Sequence, residues 1–300
     1  MYDVIIIGGG PAGLTSAIYA RRANLKTLVL EATACGGQII ITPDIENYPA
    51  AMHISGLDFA SRLESQANEL GAEIKFEEVI GINDRGTEKD VQTDSNTYTG
   101  KTIIIATGTN PRKLGLEGEE TLVGHGISYC ATCDGSFYRG RVVAVNGGGN
   151  TALDDALFLS NIVDKVYLIH RREEFRGDAE TVEKIRAKEN IELVLNTQVT
   201  KLNYDKKLNS IEITDNVSGI KRNLDIACLF IAIGREPATG AFAGKITMHE
   251  DGYIEGEYCH TNIPGIYVAG DCRNKEVRQL VTATADGAVA VHEILKLLNK

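Results

Sequence analysis

Positive charge is in short supply in this chain of 300 residues, where 31 lysines and arginines face 41 acids and the net charge is −10. A chain that lived on nucleic-acid phosphates would need a cationic face, so no nucleic-acid partner is expected. Long apolar runs are missing too. Stretches such as Val4–Ile7 and Ile103–Ala106 fall far short of the roughly 20 residues that span a bilayer. Cysteine is also sparse. Six in the whole chain cannot make a disulfide scaffold, and four of them (Cys35, Cys228, Cys259 and Cys272) are scattered. Met1-Tyr2-Asp3 runs straight into an apolar strand with no basic segment before it, so no signal peptide is expected and the reading is cytoplasmic. With 43% apolar and 24% charged residues, disorder is excluded and a sizeable core is possible. The residue in excess is glycine, at 31.

The glycines cluster, and the clusters repeat. An apolar strand at Asp3–Ile7 ends in Gly8-Gly9-Gly10-Pro11-Ala12-Gly13, a helical pattern follows from Leu14 to Ala23, and a second apolar run, Leu25–Leu30, ends in Glu31. Strand, Gly-x-Gly-x-x-Gly, helix, strand and acid together form the dinucleotide-binding fingerprint. Gly8, Gly10, Pro11, Ala12 and Gly13 would hold a pyrophosphate at the helix N-terminus, and Glu31 would accept ribose hydroxyls. A second copy reads Gly147-Gly148-Gly149-Asn150-Thr151-Ala152 after the strand Val142–Val145. Gly8 and Gly147, Gly13 and Ala152, and Glu31 and His170 are each separated by 139 residues. Ala106-Thr107-Gly108 to Pro111 and Ala232-Ile233-Gly234 to Pro237 share Ala-x-Gly-x-x-Pro at a strand end. The expected fold class is therefore α/β, with two three-layer Rossmann-like domains.

The two copies predict different ligands. At the position of Glu31 the second copy has His170, followed by Arg171, Arg172 and Arg176. Three guanidinium groups suit a ribose 2′-phosphate, which an acid would repel. The second ligand is read as NADPH, held also by Gly147, Gly149, Asn150, Thr151 and Ala152. The first copy keeps its glutamate and carries an extra segment from Cys35-Gly36-Gly37-Gln38 to Tyr48-Pro49, which reads as a site for the larger dinucleotide FAD. A late apolar strand ending in Gly270-Asp271 has no partner strand in the second copy. Its simplest place is the first sheet, which makes the second domain an insertion. Expected boundaries are residues 1–112 with 246–300 for the FAD domain and 116–241 for the NADPH domain, with crossings near 112–116 and 240–246. An antiparallel meander is expected between Ala72 and Thr99.

The remaining chemistry lies in Cys130-Ala131-Thr132-Cys133-Asp134-Gly135. A zinc site would need two more ligands at short spacing; His125 is the only nearby candidate and there is no second pair, so no metal is expected. A redox disulfide fits better, with Asp134 placed to carry the proton that thiol–disulfide exchange moves. Cys228 reads as core.

With these segments placed, the chain resembles the low-molecular-weight, NADPH-dependent thioredoxin reductases over essentially its whole length. The resemblance rests on Gly8–Gly13, Gly36-Gly37-Gln38, Ile45–Pro49, Ala106–Gly108, Cys130–Gly135, Gly147–Ala152, His170–Arg176, Ala269-Gly270-Asp271 and Arg278-Gln279. It implies a homodimer, with electrons passing from NADPH to FAD, to the disulfide and on to thioredoxin. It further implies FAD contacts from Gly37, Gln38, Asn47, Thr107, Gly108, Gly270, Asp271, Arg278 and Gln279, an NADPH contact from Gly234, and Cys130, Cys133 and Asp134 as the reacting groups. The chain departs from the family pattern at Ala50, where glycine is usual, at Asn146 and Cys272, where apolar residues are usual, and at Thr284-Ala285-Asp286. The nearest rival is a reductase serving a peroxidase or another thioredoxin-like partner. A flavin-bound redox sensor without turnover is the rival from another class.

Overall fold

The computed structural model describes residues 1–42 and 44–299. It divides into two compact units, Met1–Asn110 with Glu236–Lys300, and Pro111–Arg235. The division near residue 235 falls before the 240–246 region that composition suggested. Phe242 and Ile246 are buried in the core of the first unit, and that packing ends the insertion earlier.

In the first unit, β1 (Tyr2–Ile7) leads through the glycine loop to α1 (Pro11–Arg22) and β2 (Thr27–Glu31). Then come α2 (Gly56–Glu69), β3 (Glu73–Phe76), β4 (Val79–Asp84), β5 (Lys89–Thr93), β6 (Thr97–Ile105) and β7 (Thr109–Pro111). The sheet runs β3-β2-β1-β6-β5-β4. Pairs β1–β2, β1–β6 and β2–β3 are parallel, while β4–β5 and β5–β6 are antiparallel. The meander therefore comprises β4 to β6 alone. The Glu73–Phe76 stretch alternates as any half-buried strand would, and alternation does not reveal pairing direction. Successive residues of β1 point to opposite faces, and both faces are covered. Val4 and Ile6 enter a cluster with the helices, whereas Ile5 and Ile7 enter one with Ile82 and Val91 of the meander. That explains the unbroken apolar runs.

The second unit contains β8 (Ile127–Ser128), α3 (Ala131–Asp134), β9 (Val142–Gly147), α4 (Asn150–Ser160), β10 (Lys165–Ile169) and α5 (Ala179–Arg186). It continues with β11 (Ile191–Val194), β12 (Thr197–Tyr204), β13 (Leu208–Asp215), β14 (Lys221–Asp225) and β15 (Cys228–Ala232), and β16 (Arg235–Pro237) follows. A parallel sheet, β11-β10-β9-β15-β8, carries α4 and α5 on one face and the antiparallel β12-β13-β14 on the other. These are three layers. Beyond it the chain rejoins the first unit. There β17 (Ile266–Val268) pairs in parallel with β6, and α6 (Leu280–Leu298) packs on α1. A Cβ at Gly287 of α6 would lie 2.4 Å from the Ala12 carbonyl oxygen, so only glycine permits this helix contact.

Ala50 adopts the left-handed backbone conformation, with φ of 65°, in an exposed turn. A Cβ in that region costs roughly 1–2 kcal/mol, offset in part by the looser unfolded chain that glycine would give. Ala50→Gly should therefore stabilise the protein by up to about 1 kcal/mol. Reversible urea unfolding measures this, and a lower midpoint for the variant would count against the strain.

Candidate active site

The first glycine loop is closed on three sides and open on one. A Cβ at Gly8 would sit 2.4 Å from the Ala106 carbonyl oxygen, and one at Gly13 would sit 1.9 Å from that of Gly8. At Gly10 nothing lies within 4 Å. The tight glycines bring the start of α1 onto the strand ends, and the open one leaves room for a ligand beside the helix N-terminus. The Gly9 amide donates to Glu31 Oε2 at 2.7 Å, and the Thr33 amide donates to Oε1 at 3.1 Å. Glu31 is thus held in one orientation, and its oxygens keep lone pairs for ribose hydroxyls.

Other expected FAD residues gather within the first unit. The Gly36 amide donates to the Gly9 carbonyl at 2.8 Å, so the extra segment is tied to the glycine loop, and a Cβ at Gly37 would lie 3.4 Å from Gly10 Cα. Asn47 Nδ2 donates to Gln279 Oε1 at 3.2 Å. The Arg278 guanidinium lies over the Tyr253 ring at 4.0 Å and donates from Nε to the Asp271 carbonyl at 3.3 Å. A Cβ at Gly270 would stand 2.8 Å from Ala12 Cβ, so the Gly270–Asp271 turn abuts the start of α1.

One participant in this arrangement is not evident from the sequence. Asp286 of α6 is buried, and its carboxylate accepts from the Gly270 amide at 3.0 Å, from Arg273 at 2.8 and 3.2 Å and from Lys275 at 2.9 Å. Four donors offset the cost of burying it. The sequence signal is an acid in the small-residue stretch Thr284-Ala285-Asp286, where the chain departs from the family pattern.

The second loop repeats the first. A Cβ at Gly147 would meet the Ala232 carbonyl oxygen at 2.3 Å and Ala152 Cβ at 2.6 Å, and at Gly149 nothing lies within 4 Å. The His170 ring is buried beneath this loop, 2.2 Å from where a Gly148 Cβ would be. Gly148 was not among the expected ligand residues. Its counterpart under the same 139-residue offset, Gly9, is likewise crowded by the residue ending the second strand. His170 Nε2 donates to the Glu174 carbonyl at 3.1 Å, and the ring stacks on Phe175 at 5.4 Å. Burial pushes its pKa below the usual histidine value, and Arg176, Arg171 and Arg172 push the same way. The imidazole is therefore neutral near pH 7. The Arg176 amide donates to the Gly148 carbonyl at 2.7 Å. The side chains of Arg171, Arg172 and Arg176 are exposed. Neither Glu173 nor Glu174 pairs with any of them among the described residues.

Cys130 and Cys133 form a disulfide. Cys130 caps α3, and the Asp134 amide donates back to its carbonyl at 3.1 Å. Burial raises the Asp134 pKa, opposed by a hydrogen bond from Ser128. Tyr138 and Cys228 feel the Asp134 charge. Burial also pushes the thiols of Cys35 and Cys259 up to about 12 and raises those of Cys228 and Cys272. None of these four offers a thiolate near neutrality. The redox chemistry falls to the one pair.

Two nucleotide loops and one reducible disulfide define a nucleotide-dependent disulfide oxidoreductase, and comparison with known proteins agrees. The sequence profile of the pyridine nucleotide-disulphide oxidoreductase family matches residues 2–287. A thioredoxin reductase of Listeria innocua is 41% identical over 302 residues, covering 100% of this chain and 95% of the relative. One of Treponema pallidum is 42% identical, covering 97% and 95%. The crystal structure of thioredoxin reductase from Streptococcus pyogenes superposes with a TM-score of 0.94 at 36% identity, covering 100% and 98%. The chain belongs to the pyridine nucleotide-disulphide oxidoreductase family. Among the described residues no helix is long and apolar enough to cross a membrane.

The open and closed glycines make opposite predictions. Gly10→Val and Gly149→Val should fold with near-native stability, since a side chain there meets only space, but should lose bound FAD and weaken NADPH at least tenfold, respectively. Gly13→Ala should instead destabilise the fold by about 1–3 kcal/mol through overpacking. Thermal unfolding, flavin content and NADPH titration separate the cases; a Gly149→Val variant that binds NADPH normally would contradict the assignment.

Proposed function

We propose that this chain is an NADPH-dependent, FAD-containing thioredoxin reductase. The observation that carries the reading is the Cys130–Cys133 disulfide beside the buried Asp134 carboxyl, in a unit with its own dinucleotide loop. The first unit would hold FAD with Gly8, Gly10, Pro11, Ala12, Gly13, Glu31, Gly37, Gln38, Asn47, Thr107, Gly108, Gly270, Asp271, Arg278 and Gln279. The second would hold NADPH with Gly147, Gly149, Asn150, Thr151, Ala152 and Gly234, and would discriminate it from NADH with His170, Arg171, Arg172 and Arg176. When bound, FAD would supply the two-electron relay between NADPH and the Cys130–Cys133 disulfide.

The protein's own residues do the rest. One thiolate of the reduced pair attacks a sulfur of the thioredoxin disulfide. The other thioredoxin sulfur leaves with the electrons of the broken bond and takes up a proton. The second cysteine gives up its proton and attacks the mixed disulfide. The Cys130–Cys133 bond re-forms, the remaining thioredoxin sulfur leaves and is protonated, and thioredoxin has gained two electrons and two protons. Asp134 is the group at hand to hold and deliver a proton, because burial favours its neutral form. Its neighbours Tyr138 and Cys228 are kept protonated by burial. A homodimer in the cytoplasm completes the reading; light scattering tests the oligomer.

Cys130→Ser or Cys133→Ser should abolish NADPH-dependent thioredoxin reduction while leaving flavin content and NADPH affinity unchanged. Thioredoxin reduction persisting in either variant would refute the scheme. Replacing Arg171 and Arg176 together with alanine should cut the preference for NADPH over NADH by on the order of 10²-fold or more, given about 1.5–3 kcal/mol for each charge-assisted bond. Steady-state kinetics with the two cofactors measures this, and an unmodified protein that uses both equally well would contradict the assignment.

A further inference from the structure

We propose that Ser128 is a positioning residue for the dithiol chemistry: it fixes the Asp134 carboxyl through one oxygen and leaves Oδ1 as the atom that holds and delivers the proton. This rests on the thioredoxin reductase reading above. Ser128 ends β8, two residues before Cys130, and is 2% exposed. Its hydroxyl donates to Asp134 Oδ2 at 2.6 Å and accepts from the Cys130 amide at 3.0 Å. A hydroxyl has a single proton to give. With the amide feeding one lone pair, that proton goes to the nearby carboxylate rather than to the Cys130 carbonyl at 3.3 Å.

The consequence lies on the other oxygen. Asp134 Oδ1 is buried and has no hydrogen-bond partner among the described residues. Because Oδ2 already accepts from Ser128, Oδ1 is the oxygen left open to take up and release a proton. Burial favours the protonated carboxyl, while the Ser128 bond favours the carboxylate left after the proton is delivered. The titratable groups facing Asp134 are Tyr138, which follows α3, and Cys228 of β15, and neither is a cation. From α4, the apolar Leu159 and Phe158 stand 2.8 and 3.2 Å from where a Cβ on the adjacent Gly135 would be. Ser128 is thus the one polar side chain bonded to the acid among the described residues, and the same hydroxyl fixes the backbone of the first redox cysteine.

The test uses the full-length, FAD-loaded enzyme with Ser128→Ala, Ser128→Thr and Asp134→Asn, and follows thioredoxin reduction across a wide pH range. The limb of the profile that belongs to Asp134 is the one missing from Asp134→Asn. Losing a bond that favours the charged form should move that limb about one pH unit higher in Ser128→Ala, and Ser128→Thr should bring it back. A uniform fall in rate with the limb unmoved would mean that Ser128 serves only local structure and would overturn the inference. A limb that persists in Asp134→Asn would overturn the acid/base role itself, and the inference with it.

Discussion

Everything in this molecule depends on a backbone approaching a backbone more closely than any side chain allows. At Gly8 and at Gly147 a Cβ would come within 2.4 and 2.3 Å of the carbonyl oxygen ending the neighbouring strand. That proximity seats the start of a helix directly over the ends of parallel strands. Backbone N–H groups at the helix N-terminus are then left without protein partners, as an anion site requires. Once the loop is fixed, the residue ending the next strand must lie against it. Glu31 and His170 occupy that position in the two units, one accepting from the loop amide and the other buried beneath the loop. The residue at that position is therefore held by the loop itself.

The two units share more than their loops. In the first sheet the parallel run β2-β1-β6 extends to β17, which pairs β6 off the path to the meander, and in the second β10-β9-β15 ends at β8. The edge strands come from opposite ends of their units in sequence, which is why no repeat in the sequence pairs them. Each nevertheless delivers chemistry from its carboxyl end, where parallel sheets place their ligands. β17 leads to Gly270–Asp271, and β8 leads to Ser128 and the dithiol.

Much of this was legible from spacing. The 139-residue offset marks both glycine loops and the residue that ends the strand beside each, and Cys-x-x-Cys marks the redox pair, because each is a local pattern forced by backbone geometry or ring closure. What escaped depends on contacts distant in sequence or on hydroxyl geometry. Asp286 meets Gly270, Arg273 and Lys275 only after α6 docks. His170 reads as a ligand in sequence, yet it also supports the loop from below. Ser128 carries no motif of its own. Glycine and alanine near 240 read as a linker in the sequence, whereas Phe242 between them is core and the compact units divide at Arg235.

The central claim is that electrons from NADPH arrive at one pair of sulfurs and at no other. Counting thiols tests it most directly. The FAD-loaded protein is treated anaerobically with excess NADPH, alkylated and mapped by mass spectrometry beside an untreated sample under native conditions. The account predicts that two new thiols become labelled, at Cys130 and Cys133, while Cys35, Cys228, Cys259 and Cys272 stay unlabelled until the protein is unfolded. No new thiols after NADPH, or new labelling at any of the four buried cysteines, would contradict it.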